Sequence, residues 1–300
     1  MDDIAAVDAA DHKMRNWSFP AQGSAPPGSP EHYAMFTELL DSTYNPYKPA
    51  VLDWPALEPE ARQRITALPI WDIAVQTENK AGARIEFYAQ TVAQPELRDA
   101  LVHMAGEERR HRDVLSRLVA AYDIAVKPDE HYALPNDAEW GFLVTGYSEC
   151  IDSFFAFGLF EMARQSGFFP AALVETFEPV VQEEARHIIF FTNFIAWKRA
   201  TMAWWQRPYF ELKVAAVWAY LIWERIGIAK DVDGLEGADA NFTVTGTEAV
   251  AGEMDPAKLM DLCLSENTRR MAGYDSRLKR PLITPFLARI ARLIIRVKQF

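Results

Sequence analysis

The pattern Glu-Glu-x-Arg-His occurs twice in the chain, as Glu107 to His111 and again as Glu183 to His187. Each copy lies inside a long segment whose apolar residues recur at three and four, the period of an amphipathic helix. On a helix, residues i and i+3 share a face, so Glu108 with His111 and Glu184 with His187 each aim one oxygen and one nitrogen donor at one point. Carboxylates in the middle of an apolar helix are costly to bury unless they are paired or bind a metal. Such a chain must either bring the two helices together around something cationic or leave both faces in solvent.

The breaks in the pattern favour the first outcome. Four helical segments are predicted: Pro69 to Gln94, Pro95 to Tyr122, Ala138 to Ser166, and one running from the Ser-Gly-Phe-Phe-Pro turn at 166–170 to about Trp197. Pro95 suits a first helical turn, and the stretch AVKPDEHYALPND at 125–137 is long enough to cross the end of a bundle. Short, long, short is the connectivity of an all-α four-helix bundle with one crossover, the ferritin-like arrangement. The expected organisation is an N-terminal arm and lead-in over 1–64, the bundle over 65–200 and a helical extension packed on it over 201–300. Residues 20–30, PAQGSAPPGSP, are too rich in Pro, Gly and Ser for a helix or strand interior, so the first thirty residues read as an arm.

In antiparallel neighbours, distance from the shared turn sets the level of a residue along the bundle. Glu78 lies 16.5 residues before the first short turn and the Glu108/His111 midpoint 15 after it. Glu86 is only 8.5 before that turn, a displacement of roughly 10 Å along the axis. Around the second short turn the Glu184/His187 midpoint lies 17.5 residues beyond, Glu149 19 before and Asp152 16 before, while Glu161 at 7 falls short. The candidate ligands are therefore Glu78, Glu108, His111, Glu149, Glu184 and His187, with Asp152 as the alternative to Glu149. Four carboxylates balance two divalent cations, and mixed oxygen and nitrogen donors suit iron or manganese better than magnesium or a structural zinc.

Charge and cysteine content narrow the function classes. A net charge of −11 weighs against nucleic acid as a partner. The two cysteines, Cys150 and Cys263, form no CxxC pair, which removes a rubredoxin-type iron centre and makes a reducing, cytoplasmic compartment the simplest expectation. The acidic N-terminus does not read as an export signal. The most apolar run, Val214 to Trp223, is too short to span a bilayer and reads as a buried helix.

A carboxylate followed about thirty residues later by Glu-x-x-His, and then the same again, resembles the ferritin-like di-iron carboxylate superfamily. The intervals here, 30 from Glu78 to Glu108 and 35 from Glu149 to Glu184, are similar to the branches containing ribonucleotide reductase small subunits, acyl-carrier desaturases and multicomponent monooxygenases. Trp54-Pro-Ala-Leu57 is weakly similar to the lead-in of the reductase-like branch. The resemblance spans about residues 54–197. It departs from the radical-storing subunits at Leu115, where they carry Tyr, and from arylamine N-oxygenases at Val180, where they carry a further His. A hundred residues beyond the bundle also set it apart from ferritins.

The resemblance implies an oxidase or oxygenase that uses two iron ions, or iron with manganese, together with O2 and an external electron donor, on a small apolar organic substrate. Alternatives are a ferroxidase or peroxide-handling protein, and a helical scaffold without catalysis. Glu107 and Glu183, each four residues before its motif histidine, are placed to accept the N–H of the opposite histidine. Ser153 falls where monooxygenase relatives carry a hydroxyl beside the dioxygen site, which suggests a proton relay. Arg109, Arg110 and Arg186 read as surface or supporting ion pairs. Phe154, Phe155, Phe157 and Phe160 read as core with one face toward the metals, and His12, His32, His103 and His131 as structural.

The C-terminal segment PFLARIARLIIRVKQF places Phe286, Ile290, Leu293, Ile294 and Val297 on one helical stripe and Arg289, Arg292 and Arg296 on the other. Two outcomes are open: the stripe packs on its own domain or a twin subunit in a homodimer, or it makes peripheral contact with a membrane.

Overall fold

In a computed structural model the described residues are 4–44, 54–127, 132–230 and 255–298; the Gly- and Asp-containing stretch expected after Lys230, and His131, lie outside them. Among the described residues the secondary structure is entirely helical, apart from one isolated bridge between Trp17 and Tyr274. The helices are α1 (Ile4–Arg15), α2 (Pro30–Thr43), α3 (Pro59–Thr66), α4 (Trp71–Ala89), α5 (Pro95–Ala121), α6 (Ala138–Gln165), α7 (Ala171–Thr201), α8 (Arg207–Lys230), α9 (Pro256–Met271) and α10 (Ile283–Lys298).

The four long segments are α4 to α7, and local chemistry sets their ends. Pro95 opens α5, and the Asp137 carboxylate caps α6 by accepting from the Trp140 N–H at 3.0 Å. Helix α4 stops five residues earlier than predicted. The N–H groups of Thr91 and Val92 reach only three residues back, to Tyr88 and Ala89, and Gln94 is held extended by the proline that follows it.

Helix α4 lies against α5 and α6, and α7 also touches both, so the four long helices enclose one core with Ile85, Met104, Phe142 and Ile189 inside it. Gly146 sets the α6–α7 approach, since a Cβ there would sit 2.2 Å from the Phe191 ring. Gly146 is one turn before Glu149 and Phe191 one turn after His187, so this contact fixes the spacing of two candidate ligands. Gly158 does the same for α6 and α9, where a Cβ would meet the Cys263 sulfur at 2.3 Å.

Three expectations need correction. The N-terminal region is not an arm as a whole: α1 packs on α7 and α2, and α2 packs on α5 and α7, with the non-helical Pro/Gly/Ser-rich linker between α1 and α2. The linker's neighbours are held by tertiary contacts: Trp17 N–H donates to the Gly273 carbonyl at 3.0 Å, and the Tyr274 hydroxyl donates to Met14 at 2.8 Å. Helix α8 is buried on one face only. Phe210, Val214, Val217 and Leu221 are covered, while Leu212, Ile222 and Trp223 face solvent.

The third correction concerns α10, whose apolar stripe does not pack on its own chain. Phe286, Ile290, Leu293, Ile294 and Val297 are exposed, and the side with Thr284 and Ala288 is buried instead. Arg292 and Arg296, on the side opposite the apolar stripe, both pair with Asp261 of α9. No helix among the described residues is long and apolar enough to cross a membrane.

Candidate metal centre

Each of the four long helices contributes carboxylates to one point in the core. Glu78 comes from α4, Glu108 and His111 from α5, Glu149 from α6, and Glu184 and His187 from α7. Their donor atoms fall into two sets, each gathered within 4.8 Å: Glu78, Glu108, His111 and Glu184, and Glu108, Glu149, Glu184 and His187. Glu108 and Glu184 belong to both, and each set has one terminal carboxylate and one imidazole.

The crossing is reciprocal. His111 Nδ1 lies 2.8 Å from Glu184 Oε1, and His187 Nδ1 lies 2.9 Å from Glu108 Oε1, so each histidine sits closer to the other motif's carboxylate than to its own. Within a motif the separations are 3.9 Å and 3.8 Å. The imidazole rings are 5.7 Å apart. Neither Nδ1 makes a hydrogen bond, nor do Glu108 Oε1 and both oxygens of Glu149, although all are buried. Buried polar atoms without partners are uncommon, and a cluster of them converging from four helices is the donor arrangement that a pair of cations satisfies.

The outward ring nitrogens are held by the carboxylates that precede the ligands. His111 Nε2 is 2.8 Å from Glu183 Oε2, and His187 Nε2 is 2.9 Å from Glu107 Oε2. An ionised carboxylate only accepts, so Nε2 carries a proton, which leaves Nδ1 facing the centre as the atom that would give its lone pair to a bound cation. Glu107 is engaged by Arg186 and by Arg110 at 3.1 Å, and Arg110 lies 3.5 Å from Glu183. Arg186 is fully buried and donates a further bond to Thr43 Oγ1 at 2.7 Å. Arg110 stacks over the Tyr44 ring at 4.9 Å.

Electrostatics divide the carboxylates by role. Burial opposes charge on Glu107, but Arg186, then His187 and Arg110, more than offset it and hold its pKa far below the ordinary value. Glu108 is likewise lowered against its burial, chiefly by His187 and then His111. Glu78 and Glu149 move the other way. Burial first, and then the charges of Glu108 and Glu184, push both well above the usual range. Both histidines are raised well above theirs, because the surrounding carboxylates outweigh the burial that favours neutral imidazole. Protein cations alone do not neutralise this set, and two divalent ions would reverse the balance at Glu78 and Glu149.

The remaining predicted residues separate clearly. Asp152 is not a ligand: its Oδ2 accepts from Arg225 and Ser148, each at 2.6 Å, so α8 holds it away from the centre. Glu86 pairs with exposed Arg109, and Glu161 pairs with Arg164 at 2.6 Å. Ser153 is buried one turn after Glu149, and among the described residues its hydroxyl makes no hydrogen bond to the cluster. Phe154 packs with Met260 and Cys263 of α9, and the Arg270 guanidinium lies 5.2 Å over the Phe157 ring, so that run faces α9 as well as the core. His32 bonds Asn193 at 3.0 Å and His103 pairs with Asp41 at 3.2 Å, both away from the centre.

Sequence reasoning missed α2 and did not separate Arg186 and Arg110, which support the carboxylates behind the histidines, from Arg109, which pairs with Glu86. The signal for α2 was present: Ser29 before Pro30 is a helix start, and Met35, Phe36, Leu39 and Leu40 follow at helical spacing. Comparison with protein-family models, curated proteins and solved structures finds no match, and the centre stands on its own geometry.

Proposed function

We propose that this protein is a ferritin-like di-metal carboxylate oxidoreductase, binding two iron ions, or iron with manganese, and using O2 to oxidise a small, apolar organic molecule. The observation that carries this reading is the pair of overlapping donor sets sharing Glu108 and Glu184, with the inward nitrogens and oxygens free of hydrogen bonds. The short, long, short connections and the mutual packing of α4 to α7 support the ferritin-like arrangement. Glu78, Glu108, Glu149, Glu184, His111 and His187 would hold the ions, with Glu108 and Glu184 common to both donor sets and one histidine in each.

Such an ion pair supplies redox equivalents for O2 activation when it is bound. The chain's own residues set the conditions. Glu107 and Glu183 fix the tautomer and tilt of the imidazoles; Arg186 and Arg110 keep Glu107 ionised, and Arg110 also lies against Glu183. Both histidines, Glu107 and Glu183 are sealed from solvent. Glu78 and Glu184 keep 22% and 16% of their side-chain surface accessible, so these two ligands are less completely sealed than the residues behind them. Where the organic substrate gives up two electrons and O2 is reduced to water with four, an external donor supplies the other two.

Anaerobic titration with ferrous iron, followed by optical spectra on adding O2, tests the reading. Two equivalents per chain and an oxygen-dependent absorption change are expected, and Glu108→Ala removes both. Absence of stoichiometric binding would sink the proposal. Open-ended ferric accumulation without oxidation of any organic compound would replace it with the ferroxidase reading.

A further inference from the structure

We propose that α10 is an in-plane anchor by which this protein docks on an anionic lipid surface. A helix on a folded domain ordinarily turns its apolar stripe inward, and α10 does the reverse. Phe286, Leu287, Ile290, Leu293, Ile294 and Val297 are between 41% and 67% exposed along one continuous face. The opposite face holds the helix on the protein through small and polar groups. Thr284 and Ala288 are buried, Arg292 Nε lies 2.5 Å from Asp261 Oδ1 and Arg296 Nη2 lies 3.0 Å from Asp261 Oδ2. Because Asp261 fixes two successive turns, the helix is held with its apolar face outward.

Charge selects the occupant. Residues 276–300 contain seven Lys and Arg and no Asp or Glu, within a chain of net charge −11. Arg277 pairs with Asp275, and Arg292 and Arg296 pair with Asp261, so exposed Lys279 and Arg289 are the cations offered to lipid phosphates; with the exposed apolar face they match the acyl–headgroup boundary of an anionic bilayer, where the apolar side chains insert. A second copy of the same helix would instead oppose like charges across the contact. The inference is independent of the chemistry at the metal centre.

Co-sedimentation of the full chain with vesicles tests it. Binding to phosphatidylglycerol-containing vesicles is expected, at least about tenfold stronger than to pure phosphatidylcholine and weakened at high salt. The double variant Phe286→Glu, Leu293→Glu should lose at least about tenfold in binding while its circular dichroism stays unchanged, since both positions are exposed. The comparison of the two vesicle types tests the proposal on the unaltered chain as well. Equal binding to both vesicle types, or none to either, overturns it. So does a dimer in analytical ultracentrifugation that the double variant breaks without any vesicle binding, because the face then serves a second copy.

Discussion

The two copies of the Glu-Glu-x-Arg-His pattern are alike in sequence and unequal in the folded protein. On α7, Arg186 is fully buried, engages Glu107 and is held by Thr43 at the end of α2. On α5, the corresponding Arg110 keeps 17% of its side-chain surface exposed, lies against Tyr44 and reaches Glu107 and Glu183 at longer range. The same residue in the same motif is thus an internal counter-ion on one side and a partly solvated one on the other. Both arginines meet the end of α2, which is not part of the repeat, and they differ in how: Arg186 bonds Thr43 in the interior, while Arg110 lies over the Tyr44 ring nearer the surface. A repeated motif specifies donors; the unrepeated surroundings set how strongly each is held.

The largest test of this asymmetry removes a shared ligand. Glu108→Ala or Glu184→Ala should abolish binding at both positions, whereas Glu78→Ala or Glu149→Ala should leave about one equivalent of metal per chain, measured by metal analysis after desalting. Loss of only one equivalent in Glu108→Ala would show that the two donor sets do not share it. Next in size is Arg186→Met, which strands the Glu107 charge in the interior and should cost about 3–5 kcal/mol in denaturant unfolding of the metal-free protein. Arg110→Met, on the partly solvated side, should cost about 1 kcal/mol or less. Equal losses would erase the distinction drawn between the two copies.

A smaller effect is expected on metal affinity from the carboxylates behind the histidines. Glu107→Gln and Glu183→Gln should each weaken binding about 10- to 100-fold, with the fold intact by circular dichroism. The smallest effect lies outside the centre, at Glu178. Burial opposes its charge, but Arg270 and then Arg15 lower its pKa below the ordinary value. That stabilisation is full above the unfolded carboxyl pKa and is lost as pH falls through the folded value. Glu178→Gln should therefore melt lower than the unaltered protein at pH 7, and the gap should close as pH drops below about 4.

Much of this was legible in the sequence because helices are periodic and antiparallel neighbours keep level. Spacing from the short turns selected Glu78 over Glu86, and the structure brings Glu78 to His111 while Glu86 pairs with Arg109. The same ruler could not choose between Glu149 and Asp152, which differ by less than a turn along the axis. Angle around the helix decided that case, and it depends on α8 and Arg225, to which no level rule applies. Helix α1 was missed because contacts with residues 273 and 274, distant in sequence, hold its end. For α10 the periodicity separates an apolar face from a basic one but leaves open what each face meets, since Asp261 determines which face turns inward.

The sequence by itself narrowed the donors to two Glu-x-x-His pairs, Glu78, and one of Glu149 and Asp152, because i and i+3 on a helix share a face and rise per residue is constant. Only the tertiary structure decided how they combine, with each histidine against the other motif's carboxylate, Asp152 drawn away, Arg186 sealed under α2 and the apolar face of α10 turned out. Those outcomes depend on which surfaces meet. Burial and charge pairing between segments far apart in the chain select among faces that local periodicity leaves equivalent.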